Sequence, residues 1–346
     1  MEINLLSVKK QYLLVGRGAT AIWLALKSRS YTNKGVVVPA NVCYAAVYPI
    51  LLSGNYPVFC DVDVKSGNIA LQNVKSVWAD EVSAIIIPHM FGNPVADIVS
   101  ICDFAHKNNA LVIEDCASSM GAFTPDGMTG SFGDFVVYST GHSKTIDIGN
   151  GGILCADEIG SKIIELYNNL PVFNEGISKD GAFFSKLYRL IRNQPDTSWT
   201  PHIYKALSAL SEKLFLYRAT ESLEKQILQS LNALDEIVEQ RKAELALYDE
   251  LISPNEKIEK YQYSDGASPW RYNIFVSPDI IKDFIGFLLS NGIPVSDWYP
   301  NVTPLFFENK PFRNASLLEQ RILNFPLLIG KEKIQDFCKV INSFFR

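Results

Sequence analysis

The sequence predicts an α/β protein: a mostly parallel central sheet with helices on both faces, followed by a smaller α+β region. Three observations predict it. Short, near-continuous Val/Ile runs recur through the first half, as in strands covered on both faces. The segments between them carry apolar residues at three-to-four spacing, the period of a helix. Past about residue 160 the pattern turns helical before strands return in a shorter closing region.

The strands expected in order are GVVVPA (35–40), PVFCDVD (57–63), SAIIIPH (83–89), ALVIED (110–115), FVVYST (135–140) and GGILCAD (151–157). Each is short, rich in β-branched or aromatic residues, and bounded by turn-forming residues. ATAIWLALKSRS, NVCYAAVYPILLSG and VADIVSICDFAHKNN read as the helices between them. That alternation places helices on both faces of one sheet. FFSKLYRLIRN and IYKALSALSEKLFLYR are amphipathic helices of an insertion, and residues 223–252 read as one long helix. RYNIFVSP, a helix near 281–291 and a last helix IQDFCKVINSFF complete the chain. We therefore expect a large domain at 1–225, with a helical insertion at about 160–217, and a small α+β domain at 226–346.

Composition narrows the function. A chain of 346 residues with 47% hydrophobic content suits about two domains with a large core. A net charge of −5 supplies no basic footprint for nucleic acid. The start, MEINLLSVKKQY, lacks the charged and apolar regions of a secretion signal, and no run approaches a membrane span, so a cytoplasmic protein is expected. The six cysteines are scattered without a CxxC pair, which suggests reduced core thiols rather than a zinc site or disulfides.

Ligands of such sheets gather at the carboxyl ends of the strands. ALVIED ends there in Asp115, FVVYS in Ser139, and Lys144 follows five residues later. GRGATAI (16–22) opens the first helix with Gly18, Ala19 and Thr20, whose amides suit a phosphate monoester. Taken singly these residues have plainer readings: a solvated loop lysine, a strand-end cap, satisfied hydroxyls. Together they match pyridoxal 5′-phosphate (PLP), whose aldehyde takes a lysine, whose ring nitrogen needs an acid, and whose phosphate needs an anion cradle. At an ordinary pKa near 10.4 roughly one lysine in 2,500 is neutral at pH 7, a penalty of about 4.6 kcal/mol. Burial, together with the cofactor, is expected to remove most of it. His89, His142, Asp61 and Asp63 read as structural, with contact to cofactor or substrate the alternative for His142; Trp270, Arg271, Trp298 and Tyr299 read as packing, with lining of the substrate entrance the alternative.

The chain resembles the DegT/DnrJ/EryC1/StrS family of PLP-dependent sugar aminotransferases, of the aspartate-aminotransferase fold type. The resemblance lies in GRGATAIWLAL, VVVPANVCYAAVYPILLSGNYPVFCDVD, IIIPHMFGNPVAD, VIEDCASSMGA, GSFGDFVVYSTGHSKTIDIGNGG and the tail NFPLLIGKEKIQDFCKVI. It implies Lys144 as the Schiff-base lysine, Asp115 as partner of the ring nitrogen, and Ser139 with Gly18, Ala19 and Thr20 at the phosphate. It further implies a homodimer, an amino donor such as glutamate, and a nucleotide-linked keto sugar as acceptor. Relatives with histidine in place of the lysine carry out dehydration, and Lys144 argues against that branch.

Three departures stand out. Ser118 occupies the place of the glutamine that reaches the ring hydroxyl. Cys43 aligns with the ring-stacking aromatic, beside Tyr44. The asparagine-containing stretch that reaches the partner's phosphate is replaced near Tyr217 and Arg218. These leave open a smaller ketone as acceptor, or a non-catalytic scaffold whose helices at 183–217 hold a partner or a membrane surface.

Overall fold

The computed structural model describes residues 3–193, 200–306 and 310–345. Seven strands form the main sheet: β1 (Gln11–Val15), β2 (Gly35–Pro39), β3 (Tyr56–Cys60), β4 (Val82–Pro88), β5 (Leu111–Asp115), β8 (Phe135–Ser139) and β9 (Gly152–Ala156). A two-residue ribbon, β6 (Phe123–Thr124) and β7 (Gly127–Met128), lies between β5 and β8. The order across the sheet is β1-β9-β8-β5-β4-β2-β3. Only β9 runs against its neighbours, pairing antiparallel with β1 and β8; the other ladders are parallel.

Every residue of β2, β4, β5, β8 and β9 is buried, which is the condition their unbroken apolar runs describe. The edge strands β1 and β3 are buried only at their ends. All six expected strands are present, and β1 is an addition. Its apolar run, LLV, is too short to show a period, and Tyr12 points into solvent.

The helices of the large layer are α1 (Gly18–Ser28), α2 (Tyr44–Leu52), α3 (Leu71–Val77), α4 (Ile98–Lys107) and α5 (Ser161–Asn168). α6 (Glu175–Asn193) and α7 (Thr200–Phe215) form the inserted pair; residues 194–199 of the expected insertion lie outside the described residues. The insertion packs through an aromatic cluster in which Tyr44 and Tyr48 of α2 meet Phe184 and Phe215, and Tyr44 meets Tyr188.

The long helix expected at 223–252 is two helices, α8 (Glu221–Leu231) and α9 (Leu234–Leu251). Thr220 caps the first by accepting the Leu223 amide at 3.1 Å. The break at Asn232–Ala233 contains neither glycine nor proline; its one stop signal is Asn232, which forms the C-cap of α8. Ile227, Leu234 and Val238 pack in one buried cluster across the turn.

A second core gathers α9, the antiparallel sheet of β10 (Ile258–Lys260), β11 (Tyr272–Val276) and β12 (Ile322–Phe325), and α10 (Ile281–Ser290) with α12 (Lys331–Phe344). Short α11 (Arg313–Glu319) is tied to the large layer: Asp61 accepts the amides of Asn314 and Ala315, both at 3.0 Å. Asp63 organises the turn after it, as expected, by accepting the Lys65 and Ser66 amides. Five cysteines are buried, Cys43 is partly buried, and all six are unpaired. No described helix is long and apolar enough to cross a membrane.

Candidate active site

Because β5 and β8 are parallel neighbours, Asp115 and Ser139 end on the same edge of the sheet. β1 delivers Arg17 and the start of α1 to that edge, and antiparallel β9 begins there at Gly152. A cleft of about 510 Å³ opens at this edge. Gly18, Ala19, Cys43, Tyr44, Asp115, Ser139 and Lys144 all line it.

The fit between α1 and β8 is close. A Cβ on Gly18 would come within 3.1 Å of the Ser139 Cβ, so glycine keeps open the space between the first helical amides and the serine hydroxyl. Those amides have no partner within the helix. The Thr20 side chain is fully buried, and its hydroxyl donates to the Phe215 carbonyl at 2.8 Å.

The lysine turn is held by hydrogen bonds on two sides. Asp147 accepts the Ser143 amide at 2.7 Å and the Gly149 amide at 3.0 Å. Behind the turn, the buried Arg241 guanidinium of α9 donates to the carbonyls of Trp270 (2.6 Å), Lys144 (3.3 Å) and Thr145 (3.4 Å). Burial, reinforced by the charge of Arg271, pulls the Arg241 pKa down to about 10.

Lys144 Nζ donates to Ser118 Oγ at 3.2 Å, and Ser118 Oγ lies 3.2 Å from the Tyr299 hydroxyl. Burial alone would push the ammonium pKa down, but Tyr299, Asp115 and Cys43 outweigh it and hold it above the ordinary lysine value. This corrects the expectation that burial would help free the amine: the surrounding dipoles and charges favour its protonated form. Burial pushes the Asp115 carboxyl up, against the Lys144 charge and the Ala117 amide donated to Oδ1 at 3.0 Å. Burial likewise raises the Cys43 thiol, opposed by Lys144.

Glu114 explains the spacing of VIED and GSFGD. On a strand, successive side chains face opposite ways, so Glu114 turns from the cleft as Asp115 turns toward it. Its fully buried carboxylate accepts the amides of Gly130 (2.6 Å), Phe132 (2.9 Å) and Gly133 (2.9 Å). His89 Nε2 is 2.9 Å from Glu114 Oε1, and its Nδ1 accepts the Val95 amide, which makes Nε2 the donor. His89 is thus structural, as expected. Burial would raise the Glu114 carboxyl, but His89 and these amides hold it below its ordinary value.

The wall opposite the sheet comes from residues read in sequence as packing. Trp270, Arg271, Trp298 and Tyr299 all line the cleft, as do Arg17, Asn150, Ser185 and Arg189. The last two sit on the inserted helix α6, where nothing in the amphipathic pattern marks a cleft-facing position. His142 also lines the cleft, with Nδ1 3.5 Å from Asp147 Oδ2 and a largely exposed ring. Tyr217 is buried beside Gly16, and its hydroxyl donates to Asn150 Oδ1 at 3.2 Å.

The architecture is that of the aminotransferases of known structure. It superposes with a TM-score of 0.77 on the aminotransferase from Psychrobacter cryohalolentis, at 19% identity over 97% of this chain and 87% of that one. Helicobacter pylori PseC, an aminotransferase involved in pseudoaminic acid biosynthesis, gives a TM-score of 0.75 at 16% identity over 99% and 89%. Within that class the chain belongs to the DegT/DnrJ/EryC1/StrS aminotransferase family, which residues 5–342 match. It is 30% identical to the GDP-perosamine synthase of Escherichia coli O157:H7 over 145 residues, 42% of this chain and 40% of that protein. It is 24% identical to the GDP-4-keto-6-deoxy-D-mannose 3-dehydratase of Yersinia pseudotuberculosis over 319 residues, 87% of this chain and 75% of that protein. The matched part of the chain spans about two fifths of the GDP-perosamine synthase.

Proposed function

We propose that the protein is a PLP-dependent aminotransferase that moves an amino group from an amino-acid donor, glutamate, to a nucleotide-linked keto sugar. One observation carries the reading: Lys144 and Asp115, brought from the ends of two parallel strands, line one cleft whose third side is the amino-terminal end of α1. The site fits the cofactor. Gly18 leaves the space by Ser139 that a side chain would fill, and a buried carboxylate faces the same cleft as the lysine.

When bound, PLP supplies an aldehyde for a lysine amine and a protonated ring that withdraws electrons from the substrate carbon. Lys144 would hold the cofactor and, once released, carry the proton removed from the donor's amine-bearing carbon. Asp115 would keep a proton at the ring nitrogen through its carboxylate. Ser139 and the amides of Gly18 and Ala19 would bind the phosphate, aided by the helix dipole. Ser118, placed beside Lys144 Nζ, would orient the amine rather than reach a distant ring atom. Cys43 offers no ring to stack, and the aromatic surface of the cleft comes instead from Tyr44, Trp270, Trp298 and Tyr299.

Charge supports an anionic substrate. The cleft is lined by Arg17, Lys144, Arg189 and Arg271 against the single carboxylate Asp115, in a chain of net charge −5. A local excess of that sign attracts phosphates and carboxylates. The retained lysine favours amino transfer over the dehydration named for the Yersinia relative. The homodimer and the cytoplasmic setting belong to the same proposal, the first checked by sedimentation.

The test is spectroscopic. Purified protein mixed with PLP is expected to gain a visible absorption band that Lys144→Ala lacks, and L-glutamate is expected to convert that band to the amine form of the cofactor. Nucleotide-linked keto sugars, tried against small ketones, should then restore it. A band that survives in the K144A protein would refute the lysine assignment, and restoration by small ketones alone would refute the sugar.

A further inference from the structure

Arg271 stands between Trp270 and β11, and its backbone is fixed on both sides. The Trp270 amide donates to the Phe91 carbonyl at 3.0 Å, and the Trp270 carbonyl accepts Arg241 Nη1 at 2.6 Å. The Arg271 carbonyl itself accepts the Tyr263 hydroxyl at 2.6 Å. The side chain reaches the cleft across the indole of Trp270, with the guanidinium carbon 4.9 Å from the ring centroid. Its Nε is shut off from solvent and has no hydrogen-bond partner among the described residues. No carboxylate among them lies within ion-pair distance of it. Burial pushes the Arg271 pKa down, partly opposed by Tyr299 and by the more distant Asp147 carboxylate.

A guanidinium Nε shut off from water without a replacement partner is unfavourable, and an anion entering the cleft relieves that cost. Its planar fork matches a carboxylate or a phosphate through two parallel hydrogen bonds. Its location narrows the choice. The Trp270 indole donates to the carbonyl of Ser143, the residue before Lys144, and Arg241 holds the carbonyls of both Trp270 and Lys144. Tyr299 also bears electrostatically on both Lys144 and Arg271. Arg271 is therefore mounted on the same braced unit as the reacting amine. In an α-amino acid the carboxylate is one bond from the carbon that bears the amine. In a nucleotide-linked sugar the nearest anion is the phosphate on the anomeric carbon, several bonds from a ketone elsewhere on the ring.

Resting on the aminotransferase reading, we propose that Arg271 binds the α-carboxylate of the amino donor. The test uses full-length protein loaded with PLP, as wild type, Arg271→Gln and Arg271→Lys. Single-turnover conversion is followed with L-glutamate and with 4-aminobutanoate, the same amine without the α-carboxylate. R271Q is expected to lower kcat/KM for glutamate roughly 10- to 100-fold, mainly through KM, while 4-aminobutanoate changes less than about twofold. R271K should recover part of the loss, and a retained visible band shows that fold and cofactor are intact. Equal losses for both amines overturn the proposal. So does a loss confined to the keto-sugar step, which would give Arg271 to the diphosphate. Wild-type protein that converts neither amine would instead bring down the aminotransferase reading itself.

Discussion

Lys144 Nζ and Ser118 Oγ lie 3.2 Å apart, with the Tyr299 hydroxyl 3.2 Å further on, so segments far apart in sequence meet at one amine. Ser118→Ala removes the acceptor. A hydrogen bond to a charged group contributes about 1.5 kcal/mol or more, so losing it shifts Lys144 toward the neutral, reactive amine. The S118A protein should therefore form its visible band with PLP about 10-fold faster at neutral pH. The rate measured against pH should also show its midpoint displaced to lower pH. An unchanged profile would remove Ser118 from the site.

Glu114 contributes an acid-side stability that can be isolated. Its folded carboxyl is held below the ordinary value of 4.5, so its stabilisation is fully present above that pH. It is lost as pH falls through the lower folded value. In Glu114→Gln an amide NH₂ replaces one of the oxygens that accept backbone amides, which costs about 2–4 kcal/mol at neutral pH. The gap between wild type and E114Q, read from urea midpoints, should narrow as the medium is made more acidic than pH 4.5. A constant gap would show that the Glu114 charge contributes nothing.

A methyl group separates two glycines of the cleft edge. On Gly152 a Cβ would lie 2.6 Å from the Gly18 backbone nitrogen, whereas on Gly18 it would meet the Ser139 side chain at 3.1 Å. Backbone cannot step aside, so Gly152→Ala should cost roughly 2–4 kcal/mol of stability by denaturant unfolding. Gly18→Ala should cost about 1 kcal/mol or less and appear chiefly as weaker PLP binding in a titration.

Arg192 of α6 donates to Asp297 at 3.1 and 2.7 Å, tying the inserted helix to the segment that carries Trp298 and Tyr299. The Asp297 side chain is 43% exposed, so Arg192→Gln should change stability by only about 1 kcal/mol. Its expected effect is on the cleft wall: a several-fold rise in KM for the larger substrate with kcat nearly retained. A selective loss of kcat would contradict that role.

The sheet was legible because its strands are buried on both faces, and burial imposes unbroken apolar runs that need no partner to be recognised. The acid, the serine and the lysine were legible because a parallel sheet collects its strand ends on one edge. The direction of the Thr20 hydroxyl was not legible, because a hydroxyl in the first turn of a helix has the same sequence whether it faces a ligand or, as here, the Phe215 carbonyl. The break between α8 and α9 stayed hidden because its one stop signal, the C-cap Asn232, is weaker than a glycine or proline, and apolar residues continue on both sides of it.

By itself the sequence determined the α/β architecture, the edge on which the cleft opens, and the placing of Lys144 and Asp115 on that edge through strands of fixed direction. Only the tertiary structure decided the rest of the cleft. Arg189, Arg271, Trp298 and Tyr299 reach it from the inserted helix and the C-terminal region. Their local patterns are those of ordinary packing residues, because contacts between segments far apart in the chain leave no period in either one.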